Sequence, residues 1–171
     1  MAKYFLFLFA LISLLLAASH CRTASEEEAI RETMGELGSL AEEKDKEAIL
    51  TFVSEDYFDS LQRTKEDIRG LLDTYFPRYQ GIVIHLLSTR IQEIILPEAQ
   101  IETDMAISSG FGKVFRKLVN YYGEYYRFRI KLVKRDSKWL VREAEWEEIS
   151  AETLFPESVK ILKKILPEAF R

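Results

Sequence analysis

Apolar and charged positions alternate with a period of two on both sides of the segment Arg135-Asp136-Ser137, within residues 119–149. This period is typical of strands with one buried face. We therefore predict two long antiparallel strands joined by a tight turn. The face predicted to be buried carries one cationic residue, Arg142. Its other residues are Tyr126, Phe128, Ile130, Leu132, Leu140, Ala144 and Trp146.

Charge pairing across this hairpin predicts its register. A two-residue turn would bring two cations, Lys131 and Arg142, face to face, and directly opposed like charges are unfavourable. A three-residue turn instead pairs cations with acids, as Arg129–Glu143 and Arg127–Glu145. Since each such pair contributes about 0.2–1 kcal/mol, we expect the three-residue turn.

The chain upstream of the hairpin predicts helices followed by two further strands. Residues 26–43 and 46–53 have helical spacing, and Tyr57 begins a short strand. Thr64 with Asp67 is a capping pair that opens a third helix, which Pro77 stops. Residues 82–96 and 99–107 alternate as strands, and we expect the first to bend near residues 88–90. The fold class is therefore α+β, and residues 150–171 read as a C-terminal amphipathic helical extension.

The N-terminal segment has the pattern of an export signal. Residues 4–18 form an apolar run interrupted only by Ser13, which is short for a membrane span and typical of a signal peptide. We interpret residues 1–20 as the signal peptide and residues 21–25 as a short linker. Cys21 follows the small residues Ala18 and Ser19, as in the lipidation site of bacterial lipoproteins, although His20 stands where a small residue is usual. Ordinary cleavage, for example after Ser19, is the alternative.

We therefore expect an exported protein. It is either periplasmic or anchored to a bacterial membrane through lipid on Cys21, and it is secreted if Cys21 is not lipidated. The net charge of −4 comes from interspersed acids and bases, which argues against nucleic acid as a partner. A single cysteine excludes an internal disulfide. Because the two histidines form no ligand cluster and no P-loop or dinucleotide fingerprint is present, we expect neither metal nor cofactor.

The order of elements resembles the nuclear transport factor 2-like superfamily, in particular its SnoaL-like and ketosteroid-isomerase-like branches. The resemblance covers residues 26–149, and three segments carry it: Asp45-Lys46-Glu47-Ala48-Ile49, residues 52–58, and the turn Asp136-Ser137-Lys138-Trp139, where the family has D-G-K-W. It implies one domain, with a curved, mainly antiparallel sheet wrapped around N-terminal helices and a pocket inside this cone, a cystatin-like fold.

The resemblance does not extend to the isomerase catalytic residues. The family's catalytic tyrosine falls at about Leu37, its general base at about Ser60, and its protonated acid at Ile130 or Lys131. None of these side chains matches the role, so ketosteroid isomerase chemistry is not expected. The isomerase branch does imply that Arg142, Ala144 and Trp146 line the pocket.

Six residues are therefore candidates for ligand binding. Arg142 on an apolar face must pair with an acid or hold an anionic ligand. His85 lies in an apolar stretch and is either a core histidine or an acid–base group of the pocket. The aromatic and small candidates are either packing residues or contacts to the ligand: Tyr57, Tyr126, Ala144 and Trp146.

Three functions fit these patterns. The first is an exported domain that binds a small molecule or a peptide in its pocket without turning it over. The second is a lyase or isomerase that uses His85 in the pocket. The third is a structural or interaction module of an envelope assembly. A homodimer through the sheet or the C-terminal helix is a further possibility, and membrane contact is expected only through a lipid anchor.

Overall fold

A computed structural model describes residues 26–79, 81–109 and 124–156. Residues 1–20 and 21–25, which include Cys21, lie outside this range, as do residues 157–171 of the C-terminal extension. Within the described ranges, no helix combines the length and apolar character needed to cross a membrane.

The elements follow one another along the chain in the predicted order. Helix α1 covers residues 26–43, α2 covers Lys46–Thr51 and strand β1 covers Val53–Asp59. Helix α3 covers Lys65–Tyr75 and continues as a 3₁₀ turn, Phe76–Arg78. The remaining elements are β2 (Ile82–Ile95), β3 (Glu98–Ser109), β4 (Glu124–Arg135), β5 (Lys138–Ile149) and the short helix α4 (Ala151–Leu154).

Polar side chains at the helix starts explain where α2 and α3 begin. The Asp45 carboxylate accepts a hydrogen bond from the Ala48 amide at 3.0 Å. Thr64 and Asp67 form a reciprocal capping box, which confirms the capping pair read from the sequence. Helix α3 ends just before Phe76-Pro77, because proline cannot supply the amide that would continue the helix.

The strands form one five-stranded sheet in the order β1-β5-β4-β3-β2. Only β1 and β5 are parallel, and the other three pairs are antiparallel. Strand β2 carries bulges after Leu86 and after Ile91, which bend it near the position expected from the sequence. The predicted α+β class, with N-terminal helices on a curved, mainly antiparallel sheet, is confirmed.

Residues of one sheet face and of α1 form the main core. The inner face, defined as the face that packs against α1, includes Trp139 with 1% exposure and Leu132 with 0%. Ile30 and Met34 pack onto it from α1. The Glu42 carboxylate of α1 accepts a hydrogen bond from the Ile84 amide at 2.9 Å, which fixes the helix against β2.

The opposite, outer face of the sheet carries a second and smaller apolar cluster. Val83, Ala106 and Tyr125 are buried there, and Leu154 and Phe155 cover them. The Tyr125 and Phe155 rings meet edge to face, with centroids 6.5 Å apart. The start of the C-terminal extension is thus attached to the outer face of its own sheet.

The hairpin register differs from the predicted one. Arg135 pairs with Lys138, so the turn has two residues, and the prediction of three is wrong. Arg142 is the extra residue of a bulge, because Leu132 pairs with Val141 while Lys131 pairs with Glu143. The observed pairs further along are therefore Arg129–Glu145 and Arg127–Glu147.

The bulge explains why charge matching alone failed to give the register. It removes Arg142 from the ladder and brings Glu143 opposite Lys131, with the Lys131 Nζ 2.7 Å from a Glu143 oxygen. A two-residue turn is thereby reconciled with favourable charge pairs. Charge matching between two strands assumes a continuous ladder, and a bulge interrupts that ladder.

Candidate functional site

A cavity of about 570 Å³ lies between α3 and the inner face of the sheet. Helix α3 contributes Ile68, Leu71 and Tyr75, which share one helix face because they are three, four and seven residues apart. No residue of α3 is fully buried: Ile68 packs partly against the main core, and the rest of this apolar face borders the cavity. The other lining residues are Arg63, Tyr79, Ile82, Ile107, Ser108, Glu124, Tyr126, Phe128 and Trp146.

Arg63 is held at the cavity by Asp59, at the end of β1. The Asp59 carboxylate has no exposed surface, and it accepts hydrogen bonds from the Leu61 amide at 2.8 Å and the Arg63 amide at 3.0 Å. Its second oxygen accepts from Arg63 Nε at 2.6 Å. Burial alone would raise the pKa of Asp59, but these bonds from Arg63 and Leu61 outweigh it and lower the pKa.

Aromatic rings continue the wall of the cavity from Arg63. The Arg63 guanidinium lies 4.8 Å from the centroid of the Trp146 ring, within the range of a cation–π contact. Trp146 and Phe128 are stacked with centroids 6.1 Å apart, as expected for directly paired residues of β5 and β4. The ring centroids of Tyr126 and Phe128 are 6.3 Å apart. The three rings thus form a row along this side of the cavity, with the Tyr126 ring tilted by 56° from that of Phe128.

The acidic group of the cavity, Glu124, is engaged with a tyrosine. The Tyr126 hydroxyl donates to Glu124 Oε2 at 2.8 Å. This bond, with a smaller contribution from burial, raises the pKa of Tyr126 to about 12. Tyr126 therefore stays protonated to a higher pH than a free tyrosine, and its hydroxyl is the donor in this bond.

No protein-family model matches the sequence, and no curated protein matches it. A scytalone dehydratase-like protein of Novosphingobium aromaticivorans superimposes with a TM-score of 0.64 at 15% identity, over 75% of this chain and 87% of its own. A protein of that organism with a cystatin-like fold, described as NTF2-like, superimposes with a TM-score of 0.60 at 18% identity, over 78% and 88%.

The fold is that of the nuclear transport factor 2-like proteins. Enzymes occur among the solved structures that share it. The hexachlorocyclohexane dehydrochlorinase LinA type 3 of Novosphingobium barchaimii has a TM-score of 0.59 at 9% identity, over 75% of this chain and 89% of its own. Identities this low establish the shared fold and leave the chemistry to be argued from this chain's residues.

Arg142 lies on the outer face of the sheet, away from the cavity. The prediction that it points into the pocket is therefore wrong. Its Nη1 donates to Glu98 Oε1 at 2.6 Å. Glu98 lies on the outer face, since its neighbour Ala99 belongs to the inner core. The bulge that sets the register also turns Arg142 outward, which an alternation of period two does not anticipate.

His85 is likewise absent from the cavity lining. It lies between Val83 and Leu87, which belong to the outer-face cluster, whereas Ile82 on the alternate position lines the cavity. Its Nε2 is buried without a hydrogen-bond partner. The hypothesis that His85 acts in the pocket is therefore wrong, since the sheet separates the two.

The remaining candidates divide between core and cavity. Ala144 and Tyr57 are buried in the inner core and do not line the cavity. Burial, with a smaller effect of Asp59, raises the pKa of Tyr57 to about 12. Trp146 and Tyr126 do line the cavity. Within the described ranges, no three His, Cys, Asp or Glu side chains are grouped as a metal would need.

Sequence reasoning missed Arg63, the cation that does line the cavity. A signal was present, because Asp59 and Arg63 are four residues apart just before the Thr64 cap. An acid that ends a strand commonly accepts backbone amides of the following turn, and this holds the arginine in place.

Proposed function

We propose that this domain binds a small, mostly aromatic molecule in the cavity between α3 and the sheet, without turning it over. The observation that carries the proposal is a space of about 570 Å³ between the partly exposed apolar face of α3 and a row of aromatic side chains on the sheet. Pockets of this size with few polar groups are typical of small-molecule sites. A ligand would bury the apolar surface that the fold leaves open.

The acid–base groups at the cavity support binding rather than catalysis. The Tyr126 hydroxyl and the Glu124 carboxylate are already hydrogen-bonded to each other, at 2.8 Å. Asp59 is fully enclosed by its bonds to the Arg63 side chain and to two amides. Glu124 is the one lining carboxylate in the described part of the chain, and an enzymatic use of the cavity would have to begin from it.

Titration with N-phenyl-1-naphthylamine, a neutral dye whose fluorescence rises in apolar surroundings, tests the proposal. We expect saturable binding that weakens at least about ten-fold in Leu71→Trp, since the indole would fill the cavity beside α3. Ile95→Trp is the matched control, because Ile95 is 64% exposed at the turn between β2 and β3. Equal binding by both variants would place the dye elsewhere and contradict the proposal.

Product analysis separates binding from turnover. Ligands that bind are incubated with the protein and recovered for chromatography, and we expect them unchanged. A protein-dependent product that disappears in Glu124→Gln would replace the binding function with an enzymatic one. Unchanged ligand and retained binding in Glu124→Gln would agree with the proposed function.

A further inference from the structure

The guanidinium of Arg63 has hydrogen-bond donors that the described part of the protein does not use. An arginine side chain offers five N–H donors. Arg63 uses one of them, Nε, for Asp59. Its Nη2 is buried without a partner, and its side chain is 22% exposed at the cavity. Buried donors are ordinarily satisfied, so an unsatisfied one beside a cavity indicates where a ligand acceptor belongs.

The charge of Arg63 is already neutralised by its neighbours. Asp59 is fully buried and bonded to Arg63 Nε, so the pair has no net charge. Glu124 adds a carboxylate to the lining of the same cavity. Asp59 thus balances the charge of Arg63, and Glu124 adds a further negative charge at the cavity. A fully charged anion would therefore meet repulsion as well as the cost of losing its water.

The aromatic surface next to Arg63 defines the rest of the ligand. Trp146 lies 4.8 Å from the guanidinium and stacks on Phe128. A ring that stacks on Phe128 or Trp146 would carry its substituents toward Arg63. Because a guanidinium only donates, the substituent there must be an acceptor.

We propose that the ligand is a neutral aromatic carbonyl compound, whose carbonyl oxygen accepts a hydrogen bond from a terminal amino group of Arg63. This inference rests on the proposed binding function and names the class of its ligand. The carbonyl supplies an acceptor without a formal charge, which suits a cation that is already paired. The ring system occupies the aromatic wall.

Three naphthalene derivatives of nearly equal size test this assignment by calorimetric titration. They are 2-acetylnaphthalene, 2-ethylnaphthalene, in which a methylene replaces the carbonyl, and 2-naphthoate, which carries a full charge. We expect the wild-type protein to bind the ketone about ten-fold more tightly than the ethyl compound. We expect the carboxylate to bind more weakly than the ketone.

Variants assign the preference to Arg63. In Arg63→Met the ketone and the ethyl compound should bind equally, since the donor is gone and the apolar stem remains. Because this change leaves Asp59 buried without a cation, the double variant Asp59→Asn, Arg63→Met is measured beside it. Arg142→Met is the matched control, because this arginine is paired with Glu98 on the outer face, and it should keep the ten-fold preference.

The outcomes separate the two proposals. If none of the three compounds binds the wild-type protein and the dye does not bind either, the binding function itself fails. If the ketone and the ethyl compound bind the wild type equally, the binding function stands and the carbonyl assignment is overturned. If 2-naphthoate binds most tightly and Arg63→Met removes this, the ligand is an anion, and the assignment to a neutral carbonyl is again overturned.

Discussion

Lys134 Nζ lies 2.7 and 2.6 Å from the two carboxylate oxygens of Glu26, which precedes it by 108 residues. The same carboxylate accepts from Trp139 Nε1 at 3.2 Å. Trp139 is 1% exposed and belongs to the inner core. A single acid at the start of the described chain therefore connects α1 to both strands of the hairpin β4–β5, close to its turn.

Replacing Glu26 with alanine should lower stability by about 2–3 kcal/mol, because a buried indole N–H and a half-buried ammonium lose their acceptor together. Denaturant unfolding measures the change. Glu28→Ala is the control, since Glu28 is exposed on the same helix, and it should stay within about 0.5 kcal/mol of the wild type. Equal effects of the two substitutions would show that the Glu26 contacts contribute nothing.

The turn of the same hairpin should be improved by glycine. Asp136 and Ser137 have φ angles of 47° and 67°, the left-handed region that two-residue hairpin turns require. Serine adopts this region at a cost that glycine avoids. Ser137→Gly should therefore raise the free energy of unfolding by about 0.5–1 kcal/mol. Ser60→Gly, at a position without positive φ, should instead lower it slightly, and a loss of stability in Ser137→Gly would refute the argument.

Asp104 on the outer face should make stability depend on pH. Its side chain is 3% exposed, with Arg127 Nε at 2.7 Å and Arg90 Nη2 at 2.8 Å. Burial alone would raise the pKa of Asp104, but the bonds from Arg127 and Arg90 outweigh it and lower the pKa. A lowered pKa in the folded state stabilises the protein above the unfolded pKa of about 3.9, and this contribution is lost as the pH falls through the folded value.

Asp104→Asn should accordingly lower the free energy of unfolding by about 2–3 kcal/mol at pH 7. The difference from the wild type should shrink steadily below pH 4, as the wild-type carboxyl also becomes neutral. Unfolding by urea between pH 2.5 and pH 7 measures both curves. A difference that does not change with pH would mean that packing, rather than the charge of Asp104, carries the effect.

The sequence predicted the elements well and the site incompletely, for a physical reason. Helix caps such as Thr64 with Asp67 and the alternation of strand residues are local signals, and both were read correctly. The bulge at Arg142 depends on how β4 and β5 fit together, and it displaced the residue on which the predicted site was centred. The spacing of Asp59 and Arg63 is a local signal that Arg63 is held in place, but its position beside the aromatic residues depends on Trp146, 83 positions further along the chain.

The local sequence pattern also does not show on which side of the sheet His85 lies. Both faces of the first half of β2 are apolar, so period two separates them without saying which one faces the helices. Contacts on both sides decide it, since Gly38 of α1 approaches Ile84 on the inner face and Phe155 of the C-terminal extension covers the cluster of Val83 on the outer face. These partners lie 46 and 72 positions away in sequence, respectively.

We propose that the protein is exported and anchored through lipid on Cys21. The apolar segment 4–18 and the small residues before the cysteine motivate this proposal. Mass spectrometry of the mature N-terminus should show a chain that begins at Cys21 with attached acyl chains. Cys21→Ser should then release the protein from membranes. An unmodified start, or a start at another residue, would contradict the anchor.

Three chains that end at residues 171, 156 and 150 test the C-terminal extension. The chain ending at 150 lacks Leu154 and Phe155, which cover Val83 and Tyr125 on the outer face, and we expect it to be less stable than the chain ending at 156 by about 1–2 kcal/mol. Thermal unfolding and sedimentation measure stability and oligomeric state together.

The comparison of the chains that end at residues 171 and 156 tests a different claim. Val159, Leu162, Ile165 and Leu166 form an apolar stripe in the sequence, and a helix this short is marginal in water unless its apolar side is covered. We therefore expect the chain ending at 156 to unfold at a lower temperature than the full chain, or to change its oligomeric state. If neither quantity changes, residues 157–171 dock neither on their own sheet nor on a second copy. If the chains ending at 156 and 150 also behave alike, the contact between Phe155 and Tyr125 contributes nothing measurable to the fold.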